Sequence, residues 1–134
     1  VLDAFAGTGA LGIEALSRGA AEAVFLEKAA PALEVIRRNL RSLGAVREGL
    51  VIQGDATRPP PARAPVTVAM LDPPYRSGLA EPALVALLAQ GWLAPNALVS
   101  VELEKGEGFE PPAGFRVTDE RSYGKAKLVF LRVG

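Results

Sequence analysis

The sequence predicts an α/β protein whose sheet is mostly parallel, with helices on both faces and an antiparallel strand pair at the C-terminus. Two observations predict this fold class. Through residues 1–103, short apolar runs alternate with segments of helical periodicity, as in consecutive β-α-β units. After Gly114, two strand-like runs follow each other with only a short polar link, which is typical of an antiparallel pair. In such folds, ligands bind at the carboxyl ends of the parallel strands.

Local patterns predict the individual elements. Apolar runs indicate strands at residues 1–5, 23–27, 50–53, 66–71, 97–103, 115–118 and 127–133. Helices are predicted at residues 10–18, 31–43 and 81–90, each followed by a glycine that suits a helix C-terminus. The stretch 57–65 is rich in proline, which has no N–H to donate, so we expect neither a helix nor a strand there.

Composition limits the chemistry of the chain. Its 134 residues suffice for one domain with a hydrophobic core. Cysteine and histidine are both absent, which excludes disulfides, thiolate sites and imidazole bases, and we expect no metal. Catalysis must therefore use carboxylates, hydroxyls, amines or a cofactor. The chain has no apolar run long enough for a membrane span and no signal-peptide pattern, so we expect a cytoplasmic protein without a membrane partner.

The charge distribution permits nucleic-acid binding without requiring it. The formal net charge is zero, but arginines concentrate in one stretch, at Arg37, Arg38, Arg41, Arg47, Arg58 and Arg63. Guanidinium groups suit phosphate recognition, although such arginines also commonly solvate a helix face.

Four acidic residues stand at the ends of four successive predicted strands. They are Asp3, Glu27, Asp55 and Asp72. The carboxyl ends of parallel strands meet at one edge of the sheet, so these side chains are expected to converge. Helix capping explains one such acid, Asp55 for example, but explains four together poorly.

The loop after the first strand favours one cofactor over another. Residues 7–12 read Gly-Thr-Gly-Ala-Leu-Gly, a G-x-G-x-x-G pattern usually associated with a dinucleotide pyrophosphate. Asp3 beside this loop would repel a pyrophosphate, whereas it would attract the ammonium and sulfonium of S-adenosylmethionine. Glu27 would then hold the ribose hydroxyls, and Asp55 with the backbone at Ala56 would address the adenine edge. The acids favour the methyl donor over the dinucleotide.

The tetrapeptide Asp72-Pro73-Pro74-Tyr75 indicates the acceptor. An exocyclic base amine is a weak nucleophile because its lone pair is delocalised into the ring. The Asp72 carboxylate and the Pro73 carbonyl could accept its N–H groups and free that lone pair, while the prolines keep the acceptors in place. Tyr75 offers a face for stacking the base. The alternative is that the two prolines only end the strand and that Tyr75 packs against the rest of the protein.

These motifs together resemble the bacterial RsmD-type family of 16S ribosomal RNA (guanine-N2) methyltransferases. The resemblance covers nearly the whole chain and is carried by the segments LDAFAGTGALGIEALSRGA (2–20), FLEK (25–28), RNL (38–40), MLDPPY (70–75), VELE (101–104) and RSYGKAKLVFL (121–131). It implies a Rossmann-like class I fold, S-adenosylmethionine as cofactor, and ribosomal RNA or the small ribosomal subunit as partner. It also implies a catalytic domain over residues 1–134 that acts as a monomer.

The resemblance implies a role for each matching residue. It implies contacts to the methionine part of the cofactor from Asp3, Phe5, Gly7 and Gly9. The remaining cofactor contacts would come from Ala6, Glu27, Lys28, Asp55 and Ala56. Asp72, Pro73, Pro74 and Tyr75 would act on the target amine, and Tyr75, Arg76 and Tyr123 would contact the base or the RNA.

Other readings remain open at this level. The family has a basic N-terminal segment before the first strand, so we expect this chain to be a fragment that lacks it. DNA adenine-N6 and protein glutamine-amide methyltransferases share the Asp-Pro-Pro-Tyr motif. An NAD-dependent oxidoreductase or a nucleotide-binding module without transfer activity would share the glycine loop.

Overall fold

The computed structural model describes all residues, 1–134, and contains seven strands and three helices. In chain order they are β1 (Leu2–Ala4), α1 (Ala10–Ser17), β2 (Ala23–Glu27), α2 (Ala30–Ser42), β3 (Gly49–Gln53), β4 (Val66–Leu71), α3 (Ala80–Ala89), β5 (Leu93–Glu104), β6 (Phe115–Tyr123) and β7 (Ala126–Val133). None of the helices is long and apolar enough to cross a membrane.

The strands form one sheet in the order β3-β2-β1-β4-β5-β7-β6. Strands β1 to β5 run parallel, and β7 lies antiparallel to both β5 and β6. The predicted fold class, with its C-terminal antiparallel pair, is confirmed. Because the chain passes from β1 outward to β3 and returns to β4 on the other side, its switch point lies between β1 and β4.

Helices cover both faces of the sheet. On one face α1 and α2 pack over β2, where Phe25 contacts Ile36 and Leu40 in a buried cluster. On the other face α3 packs on a row of side chains that crosses β1, β4, β5 and β7, namely Leu2, Ala69, Val99 and Leu131. Each helix presents an apolar stripe to the sheet, so both layers are stabilised by burial of apolar surface.

The C-terminal strands are longer than predicted. Strand β6 continues to Tyr123, which was expected in the link between the last two strands. Every residue of β6 after Phe115 is exposed, so this edge strand lacks the apolar alternation that marks a half-buried strand. Strand β5 likewise begins at Leu93 rather than residue 97, because its first residues pair with β4 across an irregular register near Val66.

The proline-rich segment forms neither helix nor strand, as predicted. It crosses the sheet between β3 and β4 and is held by two hydrogen bonds. The indole Nε1–H of Trp92 donates to the Pro60 carbonyl oxygen at 2.8 Å, and the Ala62 N–H donates to the Gln90 carbonyl oxygen at 2.9 Å. No helix therefore covers β3 on the α3 side.

Candidate active site

A cavity of about 520 Å³ opens at the carboxyl ends of the parallel strands, beside the switch point. It gathers residues from the ends of β1, β2, β3 and β4, together with one residue of β5. The lining residues are Phe5, Leu26, Glu27, Lys28, Gly54, Asp55, Ala56, Asp72, Pro73, Pro74, Tyr75, Leu79 and Glu102. Three of the four strand-end acids thus face one cavity, as their positions in the sequence indicated.

The fourth acid, Asp3, lies beneath the glycine loop. Its side chain is buried, at 1% exposed, and its Oδ2 accepts a hydrogen bond of 2.9 Å from the Gly12 N–H, while Oδ1 accepts none from the protein. Burial raises the pKa of Asp3 to about 7, and the negative charges of Asp72 and Glu27 act in the same direction. A cation nearby would favour the charged form of Asp3.

The glycines of the loop serve different purposes. A Cβ on Gly12 would overlap the Phe25 ring, so glycine at this position lets α1 lie close against β2 while the Gly12 N–H bonds to Asp3. Gly7 has φ +57 and open space where a Cβ would stand. The backbone at Gly7 is therefore accessible to a ligand. Ala6, Gly7 and Gly9 belong to the loop that follows Phe5, and they are not among the residues that line the cavity.

Glu27 links the loop to the end of β2. Its Oε1 accepts a hydrogen bond from the Gly7 N–H and its Oε2 accepts one from the Ala29 N–H, both at 2.8 Å. Two backbone donors hold the carboxylate in one orientation, and each oxygen keeps a further lone pair for a ligand hydroxyl. Lys28 follows it on the rim of the cavity.

Asp55 is fixed by the turn that follows β3. Its Oδ1 accepts hydrogen bonds from the Thr57 N–H at 2.8 Å and the Thr57 hydroxyl at 2.7 Å. These bonds lower the pKa of Asp55, so this acid stays ionised. Asp55 does not cap a helix, because none follows it; its bonds close a turn and engage only one of the two carboxylate oxygens.

The loop after β4 presents Asp72 and Tyr75 to the cavity. Burial, with the carboxyl group of Glu102 in hydrogen-bonding contact, raises the pKa of Asp72 to about 6. The Tyr75 ring is 43% exposed. A large, exposed aromatic side chain beside an acid at a cavity mouth is well placed to stack on a planar ligand.

Arg76 is not among the residues that line the cavity. Its Nε lies 2.7 Å from Glu104 Oε1, and its backbone, at φ +55, donates from the N–H to Glu107 Oε1 at 2.9 Å. Because a protein carboxylate already holds the guanidinium, Arg76 stabilises the Asp-Pro-Pro-Tyr loop in this structure. A contact from Arg76 to RNA stays a prediction.

Two acids of the site were not singled out from the sequence. Glu107 is buried and accepts backbone N–H groups from both Arg76 and Glu104, which ties the Asp-Pro-Pro-Tyr loop to the end of β5. Glu102 lines the cavity, and the Tyr123 hydroxyl donates to its Oε1 at 2.6 Å. That bond raises the pKa of Tyr123 to about 12. Tyr123 is thus joined to the site through Glu102.

Comparisons with known proteins agree with this architecture. A ribosomal RNA small subunit methyltransferase D from Haemophilus influenzae is 36% identical over 127 residues, which cover 92% of this chain and 66% of that relative. The crystal structure of a proposed methylase from the same organism superposes with a TM-score of 0.86 at 35% identity, over 98% of this chain and 84% of the other. The chain thus spans about two thirds of the length of the first relative.

A more distant structure shows the same fold. An RNA methyltransferase from Salinibacter ruber in complex with S-adenosyl-L-homocysteine is 20% identical and superposes with a TM-score of 0.73, over 98% of this chain and 78% of the other. The seven-stranded sheet, with its antiparallel C-terminal pair, is therefore the fold of class I methyltransferases. The family described as Conserved hypothetical protein 95 matches residues 1–132, and the chain belongs to that family.

Proposed function

We propose that residues 1–134 form the catalytic domain of an enzyme that transfers a methyl group from S-adenosylmethionine to the N2 amine of a guanine in 16S ribosomal RNA. One observation carries the proposal. Asp72 and Tyr75 of the Asp-Pro-Pro-Tyr loop face the same cavity as Glu27 and Asp55. The cavity therefore brings together Asp72, which can accept hydrogen bonds from an amine, and two acids that can hold a nucleoside-type cofactor.

The residues present suit the cofactor. Glu27 is oriented by two backbone donors with lone pairs to spare for ribose hydroxyls, and Asp55 keeps one oxygen free. Asp3 lies where negative charge would favour the cationic end of the molecule and disfavour a pyrophosphate. A volume of about 520 Å³ falls within the usual range for small-molecule sites. S-adenosylmethionine, when bound, supplies an electrophilic methyl group on a sulfonium.

The residues of the chain would then prepare the amine. The Asp72 carboxylate and the Pro73 carbonyl accept its two N–H groups, which draws the nitrogen out of conjugation with the ring. Pro73 and Pro74 restrict the backbone, so the acceptors need no rearrangement as the reaction proceeds. With a pKa of about 6, Asp72 is ionised at neutral pH and can receive the proton that the methylated nitrogen releases.

The named relatives support RNA as the substrate. The Haemophilus influenzae relative is named for the small ribosomal subunit RNA, and the Salinibacter ruber protein of the same fold holds S-adenosyl-L-homocysteine. The proposal also includes three finer points: guanine N2 as the target atom, the 16S RNA or small subunit as the partner, and a monomeric state.

The test uses the full-length protein with small subunits from cells that lack the modification. We expect transfer of a labelled methyl group to one guanine, mapped by mass spectrometry, and thermal stabilisation by S-adenosylhomocysteine but not by NADH. Asp72→Asn should lower transfer by at least about 100-fold, the usual scale for removal of a positioned acid–base group, with cofactor affinity changed only a few-fold.

Asp119→Asn is the matched control, because it removes an exposed carboxylate of β6 that pairs with Arg121. Stabilisation by NADH alone would contradict the proposal. Loss of cofactor affinity together with activity in Asp72→Asn would show that Asp72 acts mainly as a cofactor ligand.

A further inference from the structure

Glu102 has no role in the chemistry described so far, although it shares the cavity with Asp72. It lies on β5, where its neighbours Val101 and Leu103 point into the core and Glu102 points to the other face. We propose that Glu102 accepts the N1–H of the target guanine while Asp72 accepts the adjacent 2-amino group, so that the two acids together select guanine. This inference rests on the proposed function and names the residue that sets base specificity.

The hydrogen bonds of Glu102 leave one oxygen for a ligand. Its Oε1 accepts from the Tyr123 hydroxyl at 2.6 Å, and no protein group donates to Oε2. The side chain of Asp72 has one hydrogen-bonding contact with the protein, which is to the carboxyl group of Glu102. The Tyr123 hydroxyl is the one protein donor to this pair, and the two neighbouring carboxylates repel each other when both are charged. A ligand with two adjacent N–H donors would relieve that repulsion.

The Watson–Crick edge of guanine has the required pattern. It presents the N1–H and the 2-amino group side by side as donors. Adenine instead presents an unprotonated N1 next to its amino group, and the lone pair on that nitrogen would face the carboxylate of Glu102. Enzyme sites built to receive a hydrogen bond reject analogues that lack the donor, because a buried acceptor is then left unpaired.

Purine analogues isolate the contribution of the N1–H. The riboside of 2,6-diaminopurine keeps the 2-amino nucleophile but has an unprotonated N1, and 2-aminopurine shares both properties without any group at position 6. Small subunits can be reconstituted with RNA carrying guanine or either analogue at the mapped target position. For the wild-type full-length enzyme we expect kcat/KM to favour guanine over both analogues by about 10- to 100-fold, the discrimination usual for one bidentate base contact.

The variant Glu102→Gln should reverse this preference. Tyr123 donates to the oxygen at the Oε1 position, so it would hold the amide oxygen there and place the amide NH₂ where Oε2 stood. That NH₂ opposes the N1–H of guanine but donates to the N1 of either analogue. The double variant Glu102→Gln/Tyr123→Phe lacks the hydroxyl that holds the amide oxygen in place, and the preference should fall toward unity. Glu34→Gln, on the exposed surface of α2, is the control and should leave the ratio unchanged.

These measurements distinguish a role of Glu102 in base specificity from a purely structural role. If Glu102→Gln lowers kcat/KM equally for guanine and both analogues, the inference is overturned, since a structural or general electrostatic role would act on all bases alike. Tyr123→Phe alone provides a second measurement with an exposed side chain, and we expect it to lower the guanine preference several-fold. An unchanged preference in Tyr123→Phe would contradict the fixed orientation of Glu102. If the wild-type enzyme fails to methylate guanine at all, the proposed function itself fails.

Discussion

Replacing Asp3 with asparagine should stabilise the ligand-free protein, by an amount that grows with pH. Asp3 is buried, and its pKa in the folded protein is raised from 3.8 to about 7. The folded state therefore binds the proton more tightly than the unfolded chain does. Stability is lost as the pH rises above 3.8, and the loss is complete above about 7. The interval between the two pKa values corresponds to about 4 kcal/mol in the free energy of unfolding.

Asparagine keeps a carbonyl oxygen for the 2.9 Å bond from the Gly12 N–H and removes the charge. The assay is urea denaturation of wild type and Asp3→Asn without ligand, at intervals between about pH 4 and about pH 8. We expect the free-energy difference between the two proteins to move in favour of Asp3→Asn by up to about 4 kcal/mol across this range.

Asp119→Asn serves as the control for this experiment. Asp119 is exposed, and its hydrogen bond with Arg121 lowers its pKa, so its replacement should bring no gain in stability as the pH rises. The difference in unfolding free energy between Asp3→Asn and wild type could instead stay constant with pH. That result would refute the conclusion that burial of Asp3 disfavours its charged form.

Two further predictions concern packing and the Asp-Pro-Pro-Tyr loop. Gly12→Ala should destabilise the protein by about 1–3 kcal/mol, because its Cβ would overlap Phe25, whereas Gly108→Ala, with open space around it, should change the unfolding free energy little. Equal effects of the two alanines would argue against the close contact of α1 with β2. Glu107→Ala leaves two backbone N–H groups unpaired and should lower kcat/KM with little change in S-adenosylhomocysteine affinity, while Glu107→Gln, which keeps an acceptor, should recover much of the activity. Identical kinetics for both Glu107 variants would contradict this role.

The sheet and the cavity could be predicted from the sequence because their signals are local. Apolar runs and helical periodicity mark the elements, and an acid at each strand end marks the edge where ligands bind. Asp72 and Glu27 are separated by many residues, but parallel strand order alone brings them to one edge. The position of the site therefore follows from topology, without knowledge of any side-chain contact.

The partners of the site residues could not be predicted, because they depend on contacts between distant parts of the chain. The ion pair of Arg76 with Glu104 of β5 is one example, since it joins residues far apart in the chain. Glu102 stands in an alternating strand pattern, where an exposed acid is ordinary. Glu102 differs from an ordinary exposed strand acid only in its position beside Asp72, which the sequence does not show. Tyr123 was assigned to a link because charged neighbours hide the strand in which it lies.

Tyr123 is the last residue of β6, an exposed edge strand of the sheet, so a group that orients Glu102 lies on that edge. Strand β6 pairs with β7 alone, and its residues beyond Phe115 are exposed, so few buried contacts oppose its local opening. Each opening would withdraw the phenol from Glu102 without disturbing the cofactor side of the cavity. Under our proposal, warming would relax the choice of base before it weakens cofactor binding, so fidelity would have a lower thermal limit than catalysis.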